Sequence, residues 1–258
     1  MHTDLDIDLT EGVLTLTLAR PAKKNALTNE MYGALADAIA GAATDAEVRV
    51  VLIQGDGDLF TAGNDMAEFA AQAVGKGPEE RHVARFLHSL SNALVPIVAA
   101  VQGKAVGIGT TMLLHCDYVL LAEGAELTTP FINLALVPEA ASSLLLPQRI
   151  GHARAFEMFA LGEPLPATSA LAWGIANRIV PAATLRSEAR RVADALAAKP
   201  QGALGAMKRL MRDAGKLVAQ IEAEGAAFAQ RLASPEAREA FQAFAEKRRP
   251  DFKRLAQR

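Results

Sequence analysis

The sequence contains one cysteine, one tryptophan and two tyrosines in 258 residues. With Cys116 as its only thiol, the chain has no internal disulfide framework, and a reducing compartment is expected. No apolar run approaches the roughly 18 residues of a membrane-spanning helix. The acidic, alternating start MHTDLDIDL lacks the basic and apolar regions of a secretory signal. A formal charge of −2 leaves no basic excess to favour nucleic acid. His115 and Cys116 sit in an apolar stretch and read as core, and His82 and His88 flank a helix without clustered acids, so no metal site is expected. Gly75-Lys76-Gly77 lacks the spacing of a phosphate-binding loop. These absences leave a cytoplasmic globular protein, without nucleic-acid or membrane partners, long enough to bury a substantial core.

The order of elements is α/β followed by helices. Residues 13–19 (VLTLTLA) alternate as a half-buried strand. Thr28 caps a helix over 29–43 with Met31, Leu35, Ala38 and Ile39 on its apolar face. Residues 48–54 (VRVVLIQ) read as a parallel strand covered on both faces. A Gly- and Asp-rich loop, a weak helical pattern to Ala73 and a surface connection at 75–78 precede a helix over 79–93 and a strand over 97–101. Beyond Ser143 helices are expected over 144–150, 153–161, 168–173, 185–197, 202–213, 217–233 and 235–248, with one short strand over 175–180. The chain thus divides into an α/β core over 1–197 and a C-terminal helical region over 198–258.

The stretch over 103–143 carries the chemistry. The turn Gly107-Ile108-Gly109 opens onto a helical run over 110–116, and free N–H groups at a helix start can hold a developing negative oxygen. Val137-Pro138-Glu139-Ala140 then places one acid where another helix should begin. An anion seat plus one base suggests enolate chemistry. Plainer readings stand beside this one: Gly63 and Gly107 only permit tight turns, Glu139 is a first-turn acid facing a helix dipole, and Asp65 is a helix cap. Lys247, in Lys247-Arg248-Arg249, can equally be a solvated helix end.

Six blocks resemble one known family. RPAKKNAL at 20–27, FTAGND at 60–65, PIVAAVQGKAVG at 96–107, Cys116-Asp117, AWGIA at 172–176 and FAEKR at 244–248 are similar, in order, to signature blocks of the crotonase, or enoyl-CoA hydratase/isomerase, superfamily. The resemblance implies an α/β, ClpP/crotonase-like fold of repeated ββα units. It also implies a C-terminal helical region that trimerises, giving a homotrimer or a hexamer of two trimers.

Carried over by position, the resemblance makes the N–H groups of Asn64 and Ile108, next to Gly63 and Gly107, the seat for a thioester oxygen. Isoleucine at 108 departs from the glycine of many relatives. Thr111 and Phe131 stand where hydratases carry two glutamates, whereas Glu139 matches the single glutamate of peroxisomal-type 3,2-enoyl-CoA isomerases. Lys24 and Ala26 are implied at the pantetheine and adenine, Ala62, Asp65 and Met66 at the acyl entrance, and Phe244 with Lys247 at a neighbouring subunit's nucleotide. Phe69, Phe86, Phe131, Leu134 and Leu144 are candidates for an apolar acyl wall, with the 66–78 loop closing over it. No permanently bound cofactor is expected; coenzyme A arrives as part of the acyl-CoA substrate. The implied reaction moves the double bond of a 3-enoyl-CoA to the 2-trans position in fatty-acid degradation. Two alternatives remain: a hydratase using Glu139 with an unidentified second acid, and a noncatalytic acyl-CoA-binding protein.

Overall fold

A computed structural model describes residues 4–73 and 76–255. β1 (Leu5–Thr10) turns at Glu11 and Gly12, both at positive φ, and pairs antiparallel with β2 (Val13–Leu18). α1 (Asn29–Gly41) starts where Thr28 Oγ1 accepts the Met31 N–H at 3.2 Å. β3 (Val50–Gly55), α2 (Met66–Ala73) and α3 (His82–Asn92) follow. Next come β4 (Ile97–Val101), β5 (Lys104–Val106) and α4 (Ile108–Thr111), which tightens into a 3-10 turn over Met112–His115. After β6 (Tyr118–Ala122) and β7 (Glu126–Thr128) lie α5 (Ser142–Ile150), α6 (His152–Leu161) and β8 (Leu165–Pro166). α7 (Ala167–Ala172), β9 (Arg178–Val180) and α8 (Leu185–Ala197) lead to the last helices. These are α9 (Gln201–Met211), α10 (Ala214–Leu232), α11 (Pro235–Ala245) and α12 (Phe252–Leu255).

The strands form two sheets. The larger has the order β1-β2-β3-β4-β6-β9 and is parallel from β2 onward; the smaller is β5-β7-β8. The chain therefore climbs as a spiral: β4 leads into β5 and β6 into β7, each turn giving one strand to each sheet. The segment after β3 joins the smaller layer through a parallel bridge between Thr61 and Ala105. Alternation along β3 separates two apolar clusters. Val51 and Ile53 face the larger cluster, with Met31 and Leu35 of α1 and Leu90 of α3, while Val50 and Leu52 face Leu185, Ala189 and Val192 of α8. Truncating Ile53 to alanine in such packing costs about 2–5 kcal/mol.

Asp117 explains the Cys116-Asp117 motif in structural terms. Its carboxylate accepts the Ile97 N–H at 2.8 Å and the buried Lys208 ammonium of α9 at 2.6 Å, tying the helical region to the start of β4. The lysine also reaches the Val95 carbonyl at 2.9 Å.

Several elements differ from the sequence expectation. β1 escapes periodicity because it buries only Leu5 and turns Asp6 and Asp8 outward, a charged edge that resists pairing with another sheet. The helix expected over 110–116 is four α-helical residues and a 3-10 turn. Glu139 does not open a helix: Ala140 (φ 63) and Ala141 (φ 54) are left-handed, and α5 starts at Ser142. That conformation costs about 1–2 kcal/mol per non-glycine residue, so outside contacts must hold it. In the 66–78 segment, α2 is followed by Lys76, whose N–H donates to Ala71 O at 2.8 Å. Residues 74 and 75 of that segment, with 1–3 and 256–258 at the ends of the chain, lie outside the described residues. Among the described residues no helix is long and apolar enough to cross a membrane.

Candidate active site

Asn25 anchors one wall of the site. Its buried Nδ2 donates to the carbonyls of Asp56 at 2.7 Å and Leu59 at 3.0 Å, and its Oδ1 accepts the Arg20 N–H at 2.9 Å. The Asn25 carbonyl accepts Thr61 Oγ1 at 2.6 Å. The RPAKKNAL block thus fixes the end of the loop that runs into FTAGND.

From Thr61 the chain runs beside β5. Leu27 N donates to Gly63 O at 2.8 Å and Asp65 N to Leu27 O at 2.9 Å. Successive N–H groups of an extended chain point to opposite sides, so the Asn64 N–H between them points away from Leu27. Gly63 has φ +87, and a Cβ there would meet Val106 O at 2.8 Å, so only glycine permits this approach. Thr61 pairs with Ala105 and Gly63 lies against Val106 O, so the segments that lead to Asn64 and to Ile108 run side by side; Asn64 lines the cavity described below and Ile108 does not. Gly107, at φ 57 and ψ −119, swings the chain into α4, its own N–H held by Thr128 O at 2.8 Å. Among the described residues neither the Asn64 nor the Ile108 N–H reaches a protein acceptor.

The Asn64 side chain is held from α1. The buried Tyr32 hydroxyl donates to Asn64 Oδ1. Burial, then the Glu139 and Glu68 carboxylates, raise the phenol well above its ordinary value. Asp65 serves as the N-cap of α2, accepting Ala67 N at 3.0 Å and Glu68 N at 3.3 Å, and pairs with Arg20 at 2.8 Å. Burial alone would raise its pKa, but Arg20 and the two N–H groups outweigh it and hold the carboxyl below the usual range.

Glu139 lies three residues before the first residue of α5, which has no acid in its first turn. This removes the capping alternative. The side chain is half-buried, with Oε1 sealed from solvent and without a well-formed hydrogen bond. The Thr111 hydroxyl is likewise sealed and without a well-formed hydrogen bond. Burial first, then the Glu224 carboxylate, raise the Glu139 pKa to about 8, with the Thr111 hydroxyl opposing. The left-handed turn after Glu139 is gripped on both sides. His115 Nε2 donates to Ala140 O at 2.7 Å, and Glu224 Oε1 accepts the Ser143 N–H at 2.9 Å. His115 Nδ1 accepts from Arg212, and burial, then Arg212, push its pKa down to about 3, so the imidazole is neutral.

A cavity of about 290 Å³ brings together Tyr32, Asn64, Phe69, Leu87, His88 and Glu139. Of the apolar wall candidates, Phe69 lines it. Phe86 is fully buried against Tyr32, their ring centroids 5.5 Å apart. Phe131 packs behind Phe69 with Leu136 and Leu232, Leu134 packs against that group, and Leu144 belongs to the larger core. Lys24 is exposed at φ 54, and its carbonyl accepts Ala62 N at 2.9 Å, which puts Lys24, Ala26, Ala62, Gly63 and Asp65 in one neighbourhood. Met66 packs toward Phe69. Phe244 and Lys247 are exposed at the end of α11 and do not line the cavity. Among the described residues no three His, Cys, Asp or Glu side chains gather to hold a metal. Sequence reasoning missed Tyr32 and Glu224 altogether; each lies in a helix whose pattern reads only as packing.

Comparison with known proteins agrees with this architecture. Residues 8–255 match the family described as Enoyl-CoA hydratase/isomerase. The chain is 34% identical over 249 residues to the 1,2-epoxyphenylacetyl-CoA isomerase of Escherichia coli (strain K12), covering 94% of this chain and 95% of that one. It is 34% identical over 205 residues to Enoyl-CoA delta isomerase 2 of Rattus norvegicus, covering 78% of this chain and 52% of that one. A crystal structure of an enoyl-CoA hydratase/isomerase from Pseudoalteromonas atlantica T6c superposes with a TM-score of 0.91 at 41% identity, covering 96% of this chain and 99% of that one. With its spiral of paired strands and this match along nearly its whole length, the chain belongs to the enoyl-CoA hydratase/isomerase family of the crotonase superfamily.

Proposed function

We propose that the protein is an acyl-CoA isomerase that moves the double bond of a 3-enoyl-CoA to the 2-trans position. The observation that carries this reading is the state of Glu139. Four carboxylates line the cavity. Asp65 is bound by Arg20, Glu68 accepts the Asn29 N–H at 2.8 Å, and Glu222 is exposed. Glu139 alone among them has a sealed oxygen without a well-formed hydrogen bond.

In this reading Glu139 removes a proton from C2, and the charge spreads through the dienolate onto the thioester oxygen. The N–H groups of Asn64 and Ile108 receive that oxygen; a donor of this kind is worth about 2.7–4 kcal/mol of barrier. Glu139 then returns the proton at C4. A carboxyl group with a raised pKa suits a base that must keep its proton between two carbons. A hydratase needs a second acid at the substrate. Thr111 and Phe131 supply none, and Glu224, which binds the turn after Glu139, is outside the cavity lining with Oε1 committed to Ser143. The acyl-CoA substrate is bound transiently, in an enzyme that works as a homotrimer or hexamer.

The test is turnover of 3-hexenoyl-CoA, followed as 2-enoyl-CoA formation, by wild type and Glu139→Gln. Loss of about 10²–10⁴-fold with retained binding of CoA esters supports the one-base reading. Equal activity of the two proteins refutes it.

A further inference from the structure

Glu224 is the most deeply buried acid of the chain that the proposed reaction does not use. It projects from α10, far along the sequence, and is 6% exposed. Oε1 accepts both the Ser143 N–H, at 2.9 Å, and the Ser143 hydroxyl, and Gln220 steadies that hydroxyl at 2.9 Å. Ala141, at the N-cap of α5, has no side chain able to receive an N–H of the first turn. Glu224 does so from another helix.

Four polar atoms at this junction are sealed from solvent without a well-formed hydrogen bond: Thr111 Oγ1, Glu139 Oε1, Ser142 Oγ and Glu224 Oε2. Two carboxyl oxygens in that condition are costly if both groups are ionised, because burial and mutual repulsion act in the same direction. Retaining one proton on the pair relieves both. The other titratable groups around the cavity are Tyr32 from α1, Asp65 and Glu68 at α2, Arg81 and His88 at α3, and Glu222 from α10. None of these is a source of the rise at Glu139, whereas Glu224 is; the Glu224 carboxyl is raised by burial, against the hydrogen bonds from Ser143, Ala141 and Gln220.

We propose that Glu224 is a positioning residue for Glu139: it anchors the backbone that follows the base and, by holding a second carboxyl group against it, makes the two titrate as one coupled site. The proposal rests on the reading of Glu139 as the base. It goes further in assigning the C-terminal helix a part in setting when that base is ionised.

The test combines the pH profile of kcat/KM with a ¹³C NMR titration of the carboxyl groups. Glu224→Gln keeps an oxygen for the Ser143 N–H and removes the charge, so the acidic limb of the profile moves to lower pH. In wild type the Glu139 carboxyl carbon titrates in two steps, one of them following Glu224. A profile that superimposes on wild type overturns the proposal, as does a single-step Glu139 titration indifferent to Glu224. Should the variant fail to fold, the wild-type titration alone decides. A Glu139→Gln variant that turns over like wild type instead defeats the base assignment, while the two-step titration still reports on the coupling.

Discussion

The Tyr32 hydroxyl donates to the side-chain oxygen of Asn64, joining α1 to the segment that carries Asn64 at the cavity wall. Tyr32 packs on Phe86 and is 4% exposed, so its ring has one place to sit. Removing the hydroxyl leaves a half-buried amide oxygen short of its donor, at a cost of about 1 kcal/mol. Tyr32→Phe is therefore expected to lower kcat about tenfold for about 1.4 kcal/mol of barrier, with little change in KM. Steady-state kinetics on 3-hexenoyl-CoA checks this, and a rise in KM at constant kcat would mean that the pair serves binding alone.

Gly63→Ala should be more damaging. The new Cβ would press on Val106 O at 2.8 Å from a backbone at φ +87, a conformation that costs a non-glycine residue on the order of 1–3 kcal/mol. The strand has to shift at the residue before Asn64. Turnover is expected to fall further than stability does, as measured by kcat beside urea unfolding. Equal fractional losses would place Gly63 in packing only.

Glu139→Gln should stabilise the fold while lowering turnover about 10²–10⁴-fold. The folded pKa of about 8 lies above the ordinary 4.5, so the folded chain holds a proton that the unfolded chain has lost. The favourable contribution of the protonated group is complete below 4.5 and disappears as pH rises through 8. Glutamine does not ionise, and its advantage over glutamate grows across that window to about 1–3 kcal/mol. Thermal unfolding at pH 5 and pH 8 measures it; an advantage equal at both values counts against the shift.

His115 has the opposite sign. Its folded pKa of about 3 lies below the ordinary 6.5, so the unfolded chain takes the proton first as pH falls. Stability present above 6.5 is lost toward 3, by up to about 1.4 kcal/mol per pH unit. His115→Asn should flatten this slope while lowering stability at pH 7, because Ala140 O and Arg212 lose their partner. Urea unfolding between pH 4 and pH 7 gives the answer, and an unchanged slope would mean that another group controls acid sensitivity.

The parts of the fold that were legible in the sequence are those with long, one-sided patterns. Thr28 capping α1, the two-faced burial of β3 and the limits of α8 at Leu185–Ala197 all follow from local composition. β5, β7 and β8 have three, three and two residues, too few for a period to register. The candidate site was legible mainly through resemblance. The approach of the segments before Asn64 and Ile108 depends on a bridge between Thr61 and Ala105, and Glu224 reaches Ser143 across 81 positions. Neither relation leaves a trace in local spacing. The two left-handed alanines were unreadable for a related reason, since the contacts that hold them come from His115 and Glu224.

The two grips on the turn after Glu139 also order events during synthesis. His115 precedes Ala140 by 25 positions, whereas Glu224 follows Ser143 by 81. A chain leaving the ribosome can therefore settle the His115 contact early, but its strained alanines lack their second hold until α10 has emerged. The base is made well before its surroundings are finished. Nascent chains should gain activity only after α10 has emerged, and premature termination ahead of α10 would release a protein with the base present and its support missing.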